Sequence, residues 1–339
     1  MKVSELGEFG LIELLSGMAD RPAEEESAAR RQLIIGIGDD AAAWQGDDSI
    51  QLATTDFLVQ DVHFSLEMTS WQELGWRALA ANLSDIAAMG GLPRYALVSL
   101  AMPGFTEVDD VAALYRGMLE LAGQSGTVII GGDMSAAPLL VISITVLGGT
   151  GSPFDRILTR SAARPGDKVA VTGTLGGSAA GLEMLTKRLN FSKEESIGLK
   201  QAFTMPSPRL AEGRALVELG VKAAIDVSDG LLSDLGHICR MSRVNARIET
   251  DSVPIHPAVI ANFGDRGLEL ALGGGEDYEL LFTAPAGVIA QVRAAVSCPV
   301  TVIGEITAGE GGEIILLDGR GNLLEPPRNG WEHFSPGQA

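Results

Sequence analysis

"IDVSDGLLSDLGH", residues 225–237, sets Asp226 and Asp229 three positions apart at the end of an apolar run and follows them with a glycine and a helical pattern. The stretch reads as strand, acidic loop and helix. Ser228 is placed to cap a helix whose apolar positions are Leu231, Leu232, Leu235 and Ile238, which would aim the positive end of that helix at whatever the two acids hold. An EF-hand is excluded, because Ser228, Leu232 and Asp234 leave the ligand spacing wrong and the twelfth position is His237 rather than a bidentate Glu.

The same grammar recurs in both directions along the chain. "IIGIGDD" (34–40), "LATTD" (52–56), "VIIGGD" (128–133) and "GGGEDYEL" (273–280) each run from apolar or glycine residues into acids. Acids just past strand ends emerge at one edge of a sheet, where open α/β sheets bind ligands. A further acid, Asp85 in "ALAANLSDIAAMGG", lies on an alanine-rich helix whose Leu79, Leu83 and Ile86 leave little solvated face. Burying it uncompensated costs several kcal/mol, so a metal ion or a donor network is expected beside it. Carboxylates gathered without matching cations repel one another, and a hard divalent cation is the usual remedy. Mg²⁺ takes one or two carboxylates, keeps waters and completes its shell with substrate phosphates, so the acids read as a nucleotide–magnesium site.

Charge and composition narrow the classes. Lys and Arg number 25 against 44 Asp and Glu, a formal charge of −19, which repels a nucleic-acid backbone. No run approaches the roughly 20 apolar residues that span a bilayer, and a soluble cytoplasmic protein is expected. The two cysteines, Cys239 and Cys298, have neither CxxC spacing nor an adjacent His. There is no GxxxxGK[ST] and no protein-kinase signature set. "TGTLGGSAAGLEML" (172–185) is a glycine-rich turn opening a helix, explained by a phosphate cradle or by tight helix–strand packing.

Apolar runs at 33–38, 50–55, 95–101, 127–131 and 139–147 alternate with helical patterns near 71–90 and 107–123. A glycine- and proline-rich stretch at 148–167 precedes a second series of runs at 168–173, 221–226, 246–250, 279–283, 299–304 and 313–317. The expected domains are therefore 1–150 and 151–339, in the α/β class. The polar segment 188–201 is read as a surface helix with no catalytic part.

In order and nearly end to end, "GIGDDAA", "TTDFLVQDVHF", "NLSDIAAMGG", "GGDMS", "TRSAARPGDKVAVTGTLGGSAAGL", "IDVSDGLLSDLGH", "GGGEDYELLF" and "NGWEHF" resemble the thiamine-monophosphate kinase family, within the superfamily of aminoimidazole ribonucleotide synthetase. The resemblance implies an N-terminal α+β domain that forms a homodimer, a C-terminal α/β domain, and ATP with several Mg²⁺ ions between them. It implies phosphorylation of thiamine phosphate to thiamine diphosphate. Carried over by position, the metal ligands are Asp40, Thr54, Thr55, Asp56, Asp85, Asp133, Asp226 and Asp229. Gly132, Arg160 and Ser228 would contact ATP, with Tyr115 near the nucleotide, and His63, Glu276 and Trp331 would hold thiamine phosphate. The family's last position is often Tyr or Phe; Trp331 keeps the stacking surface.

Two rival readings stand beside this one. Another ATP-using member of the superfamily would share the acidic grammar, but residues 1–238 hold no Cys for a selenophosphate synthetase nucleophile and the chain ends "SPGQA" rather than in the Cys of the hydrogenase maturation factor. A non-catalytic acidic cation-binding protein would leave Arg160 and the glycine turns unexplained.

Overall fold

The computed structural model describes residues 33–35, 42–45, 49–151 and 156–326; Asp40 and Trp331 lie outside the described residues. Two sheets organise the chain. The first has six strands, β1 (Leu33–Ile35), β2 (Ala42–Gln45), β3 (Ile50–Val59), β4 (Leu92–Met102), β5 (Val128–Ala136) and β6 (Val141–Gly149), in the order β1-β2-β3-β6-β4-β5. All pairs are antiparallel except β4 with β5. Helix α1 (Trp71–Ala88) packs on the inner face and α2 (Val108–Ser125) packs on α1. Ser70 and Glu73 form a reciprocal capping box that fixes where α1 begins. Gly75 and Gly117 let the two helices cross closely, since a Cβ on either would lie 1.9 Å from a backbone oxygen of the other helix.

Helices α3 (Gly177–Lys187), α4 (Lys193–Thr204), α5 (Leu210–Glu218), α6 (Leu231–Ser242), α7 (Pro257–Phe263), α8 (Arg266–Gly273) and α9 (Ala286–Ala295) belong to the second half. Its strands are β7 (Lys168–Thr172), β8 (Ala223–Asp226), β9 (Asn245–Glu249), β10 (Leu280–Ala284), β11 (Val300–Thr307), β12 (Ile314–Leu317) and β13 (Leu323–Leu324), ordered β13-β12-β9-β11-β7-β10-β8. Only β12 with β9 runs parallel. This sheet is mixed α/β with a mainly antiparallel ladder, so the strand-end rule for parallel sheets does not by itself locate its ligands.

Both faces of the second sheet are covered. Val169, Val171, Ile225 and Ile248 face a core completed by Leu231, Leu235 and Ile238 of α6. Ala170, Ala224, Leu280 and Phe282 face another, filled by Leu216 and Val217 of α5 and Ile289 and Val292 of α9, together with Ala87 and Ala88 from the end of α1. Helix α1 is thus shared: it is the inner layer of the first half and a wedge in the core of the second. No described helix is long and apolar enough to cross a membrane.

At the edge of this half, Glu183 of α3 pairs with Arg266 of α8 and with Lys187. The Arg266 guanidinium chiefly holds the Glu183 carboxyl down to about 2. A depressed native acid adds stability above its unfolded value, near 4.5, and loses it as pH falls towards 2. Glu183→Gln is expected to have a slightly lower urea midpoint than wild type at pH 6, with the two midpoints converging as pH falls below 4.5.

Candidate active site

Helix α1 carries the polar residues that join the two halves. Thr54, on the inner face of β3, donates from Oγ1 to Asp85 Oδ2 at 2.5 Å. Asn82 Oδ1 accepts the backbone N–H of Asp56 at 3.1 Å. One residue before Asp85, Ser84 Oγ donates to Asp226 Oδ2 at 2.6 Å, and this bond ties α1 to the second sheet. Asp226 is 1 % exposed and ends β8. Burial first, then Glu276, with Asp56 and Asp226 adding to it, keep the Tyr278 hydroxyl well above its ordinary pKa and protonated.

The loop after Asp226 differs from the sequence expectation. Ser228 does not cap α6; Gly230 takes the N-cap position. The N–H groups of Ser228, Asp229 and Gly230 all donate to one oxygen, Asp234 Oδ2, at 3.1 Å each. A carboxylate from within the helix therefore already occupies its anion-binding end. Burial first, then Asp229 and Asp226, raise the Asp234 pKa well above the carboxylate range. The glycine turn at 172–185 is occupied in the same way: Asp277 accepts from Gly176 N at 2.7 Å and Ser178 N at 3.1 Å. It is a packed junction, and its phosphate-cradle reading is set aside.

Arg160 lies by this loop and acts electrostatically on both Asp234 and His237. Its carbonyl accepts from Ser242 Oγ at 2.8 Å. Burial, then Arg160 and Arg240, push the His237 imidazole down to about 4, leaving it neutral. Asp229, Asp234 and His237 bring one ligand atom each within 4.8 Å of one another.

Glu276 abuts the same loop, its N–H donating to Ser228 O at 2.8 Å. Gly275 permits that approach, since a Cβ there would lie 2.4 Å from Ser228 O. The Glu276 carboxylate pairs with Arg77 of α1. Arg77, Asn82, Ser84, Asp234 and Tyr278 were absent from the sequence-derived set. The signal for two of them was present: Asn82 and Ser84 are polar residues beside Asp85 on a helix with almost no solvated face, yet the sequence reading takes up only Asp85.

The remaining candidates belong to the first half. Asp56 and Asp133 sit inside strands, not beyond their ends as the sequence grammar suggested. Successive β3 residues alternate, so Thr54 faces α1 while Thr55 faces outward, donating to Ile144 O and accepting from Thr145 Oγ1. Asp133 lies on the edge strand β5, in register with Ser99, Ser143 and Phe57. Three strand spacings, about 14 Å, separate it from β3. Gly132 beside it has φ +157, and a Cβ would meet Val98 O at 1.7 Å, so the sheet itself requires glycine there. Tyr115 lines an open apolar groove of about 620 Å³ with Met102, Val111 and Met134. His63 Nδ1 accepts Val59 N at 3.0 Å, and its ring meets outward-facing Phe57 edge-on.

As a donor set, Thr54, Asp56, Asp85 and Asp226 are all oxygen, mostly carboxylate, and partly or fully buried. That chemistry fits Mg²⁺ rather than a softer metal.

Known proteins share this architecture. Residues 38–150 match the family described as AIR synthase related protein, N-terminal domain, and residues 164–317 its C-terminal domain. Thiamine-monophosphate kinase of Bacillus subtilis (strain 168) is 40 % identical over 309 residues, covering 88 % of this chain and 93 % of that protein. The enzyme of the same name from Escherichia coli (strain K12) is 38 % identical over 338 residues, 97 % of this chain and 98 % of its own. A solved structure described as AaThiL complexed with AMPPCP and TMP superposes with a TM-score of 0.83 at 33 % identity, covering 98 % of this chain and 99 % of that one. On this similarity across both halves, the chain belongs to the thiamine-monophosphate kinase family of AIR synthase related proteins.

Proposed function

We propose that this protein transfers the γ-phosphoryl group of ATP to thiamine phosphate, giving thiamine diphosphate and ADP. The observation that carries the reading is the polar seam along α1, where Thr54–Asp85 on one side and Ser84–Asp226 on the other bring carboxylates from both halves to one helix. The relative solved with AMPPCP and TMP supports both substrates.

The chemistry asks little of a general base. The attacking phosphate oxygen is largely deprotonated at neutral pH, and positioning and charge neutralisation carry the rate. Arg160 offers a planar fork for phosphate oxygens. Tyr115 and the apolar groove around it suit the adenine, with Gly132 and Ser228 along the phosphates. Glu276, His63 and Trp331 are assigned to thiamine phosphate. Mg²⁺, when bound, would supply neutralisation of the phosphate charge. We assign the ions to Thr54, Asp56, Asp85, Asp226 and Asp229 on the inner side, with Thr55, Asp133 and Asp40 as further ligands.

A homodimer accounts for the candidates on the outer face. That face exposes Phe57, Tyr95, Leu97 and Val128, a patch that a monomer would leave in water. Two such faces closing on each other would carry the β5 edge of one copy, with Gly132 and Asp133, towards the β3 side of its partner. In this reading residues 1–150 form the dimerisation and metal-binding unit, residues 151–339 complete the ATP and acceptor sites, and the protein works in the cytoplasm, where ATP is available.

Incubation with ATP, Mg²⁺ and thiamine phosphate should yield one thiamine diphosphate per ADP, seen as a new pyrophosphate pair in phosphorus NMR. Consumption of ATP only with a different acceptor would overturn the assignment. Sedimentation at micromolar concentration should give about twice the 35.5 kDa chain mass, and a clean monomer would remove the dimer.

A further inference from the structure

Arg77 is a charged residue at 3 % exposure in the middle of α1. Its Nη2 pairs with Glu276 Oε1 across the junction of the two halves, and its guanidinium carbon lies 4.3 Å from the Phe203 ring centroid. Its Nε and Nη1 are buried without a hydrogen-bond acceptor among the described residues. A pair kept for stability alone would be poorly built this way, because buried ion pairs rarely outperform apolar packing even when every donor is satisfied. Glu276, in contrast, keeps a side chain 31 % exposed and is bound through one oxygen.

The backbone around Glu276 is held just as firmly. Glu276 has φ +66 and Tyr278 φ +50, two non-glycine residues in the left-handed region within three positions. They persist because Glu276 N is bonded to Ser228 O and Tyr278 N to Val227 O, which ties this turn to the acidic loop. Helix α4, read from sequence as surface without a role, supplies Phe203 and is clamped to α1 by the pair of Lys200 with Glu73. Backbone, ring and guanidinium thus converge on one carboxylate.

We propose that Arg77 is the positioning residue of the acceptor site: it fixes one oxygen of Glu276 so that the other faces the cleft as a stationary negative group for a positively charged acceptor ring. This rests on the kinase reading above. An unanchored glutamate would swing toward Mg²⁺ or solvent; an anchored one recognises a cation without competing for metal. Specificity for a cationic acceptor is then set from α1, the same helix that carries Asp85 and Ser84.

The test is a double-mutant cycle with both substrates varied. Arg77→Met is expected to raise KM for thiamine phosphate about tenfold, the scale of one well-oriented charged contact, with KM for ATP changed less than about twofold. Arg77→Lys should recover part of the loss. Because Arg77 acts through Glu276, Arg77→Met combined with Glu276→Gln should be no worse than Glu276→Gln alone. If wild type phosphorylates thiamine phosphate but the two effects multiply, or both KM values move together, or only the melting temperature falls, Arg77 is a packing residue and the proposal is wrong. If wild type does not use thiamine phosphate at all, the kinase reading fails and this inference with it.

Discussion

Asp226→Asn should lower kcat by at least about a hundredfold while leaving the metal-free protein as stable as wild type, or more stable. The expected loss is the scale of removing one charge contact from a transition state. Asn keeps a carbonyl oxygen for the Ser84 hydroxyl, so the bond across the two halves survives the change. What disappears is a buried negative charge beside Asp234, whose own pKa is raised partly by Asp226. Relieving that repulsion favours the folded state wherever no cation offsets it. Turnover at saturating ATP and thermal melts with and without Mg²⁺ decide the matter. A variant that melts earlier in EDTA but turns over normally would show that Asp226 serves the fold. The paired control is Ser84→Ala, which leaves the charge in place and removes only the hydroxyl; a smaller kcat loss is expected there.

The sequence made the elements visible because their chemistry is local. The helical pattern at 71–90 became Trp71–Ala88, bounded by the Ser70–Glu73 box, and the apolar runs of the second half became β7 to β12 within a residue or two, apart from a longer β11. Helix α6 buries Leu231, Leu235 and Ile238 as its spacing requires. What the sequence did not show was which face or partner each polar group meets. Thr54 and Thr55 read as one motif, yet strand alternation sends them to opposite faces of the sheet. The helix end behind "VSDG" looked open to an anion until Asp234 was seen accepting all three loop N–H groups. Arg77 gave no signal at all, since its partner lies 199 residues away. Local periodicity specifies elements, whereas long-range register and burial specify the site.

Gly213→Ala should then damage catalysis more than its single added methyl group suggests. Helix α5 passes the end of α1 so closely that a Cβ on Gly213 would lie 2.1 Å from Ala87 O, a backbone atom that no rotamer change can move aside. Helix α1 would have to shift by about 1 Å relative to the second sheet, at a stability cost of about 1–3 kcal/mol. That shift falls on the seam where Ser84 meets Asp226, and a displacement of that size at a reacting centre costs about a hundredfold in rate. Gly304→Ala provides the comparison, because its Cβ would lie 2.0 Å from Arg247 O between β9 and β11, a similar clash that involves neither α1 nor the acidic loop. Both variants should melt earlier by similar amounts, but only Gly213→Ala should lose most of its kcat at a temperature where each is fully folded. Equal kcat in the two would mean that the reacting groups do not depend on how α1 is seated against the second half.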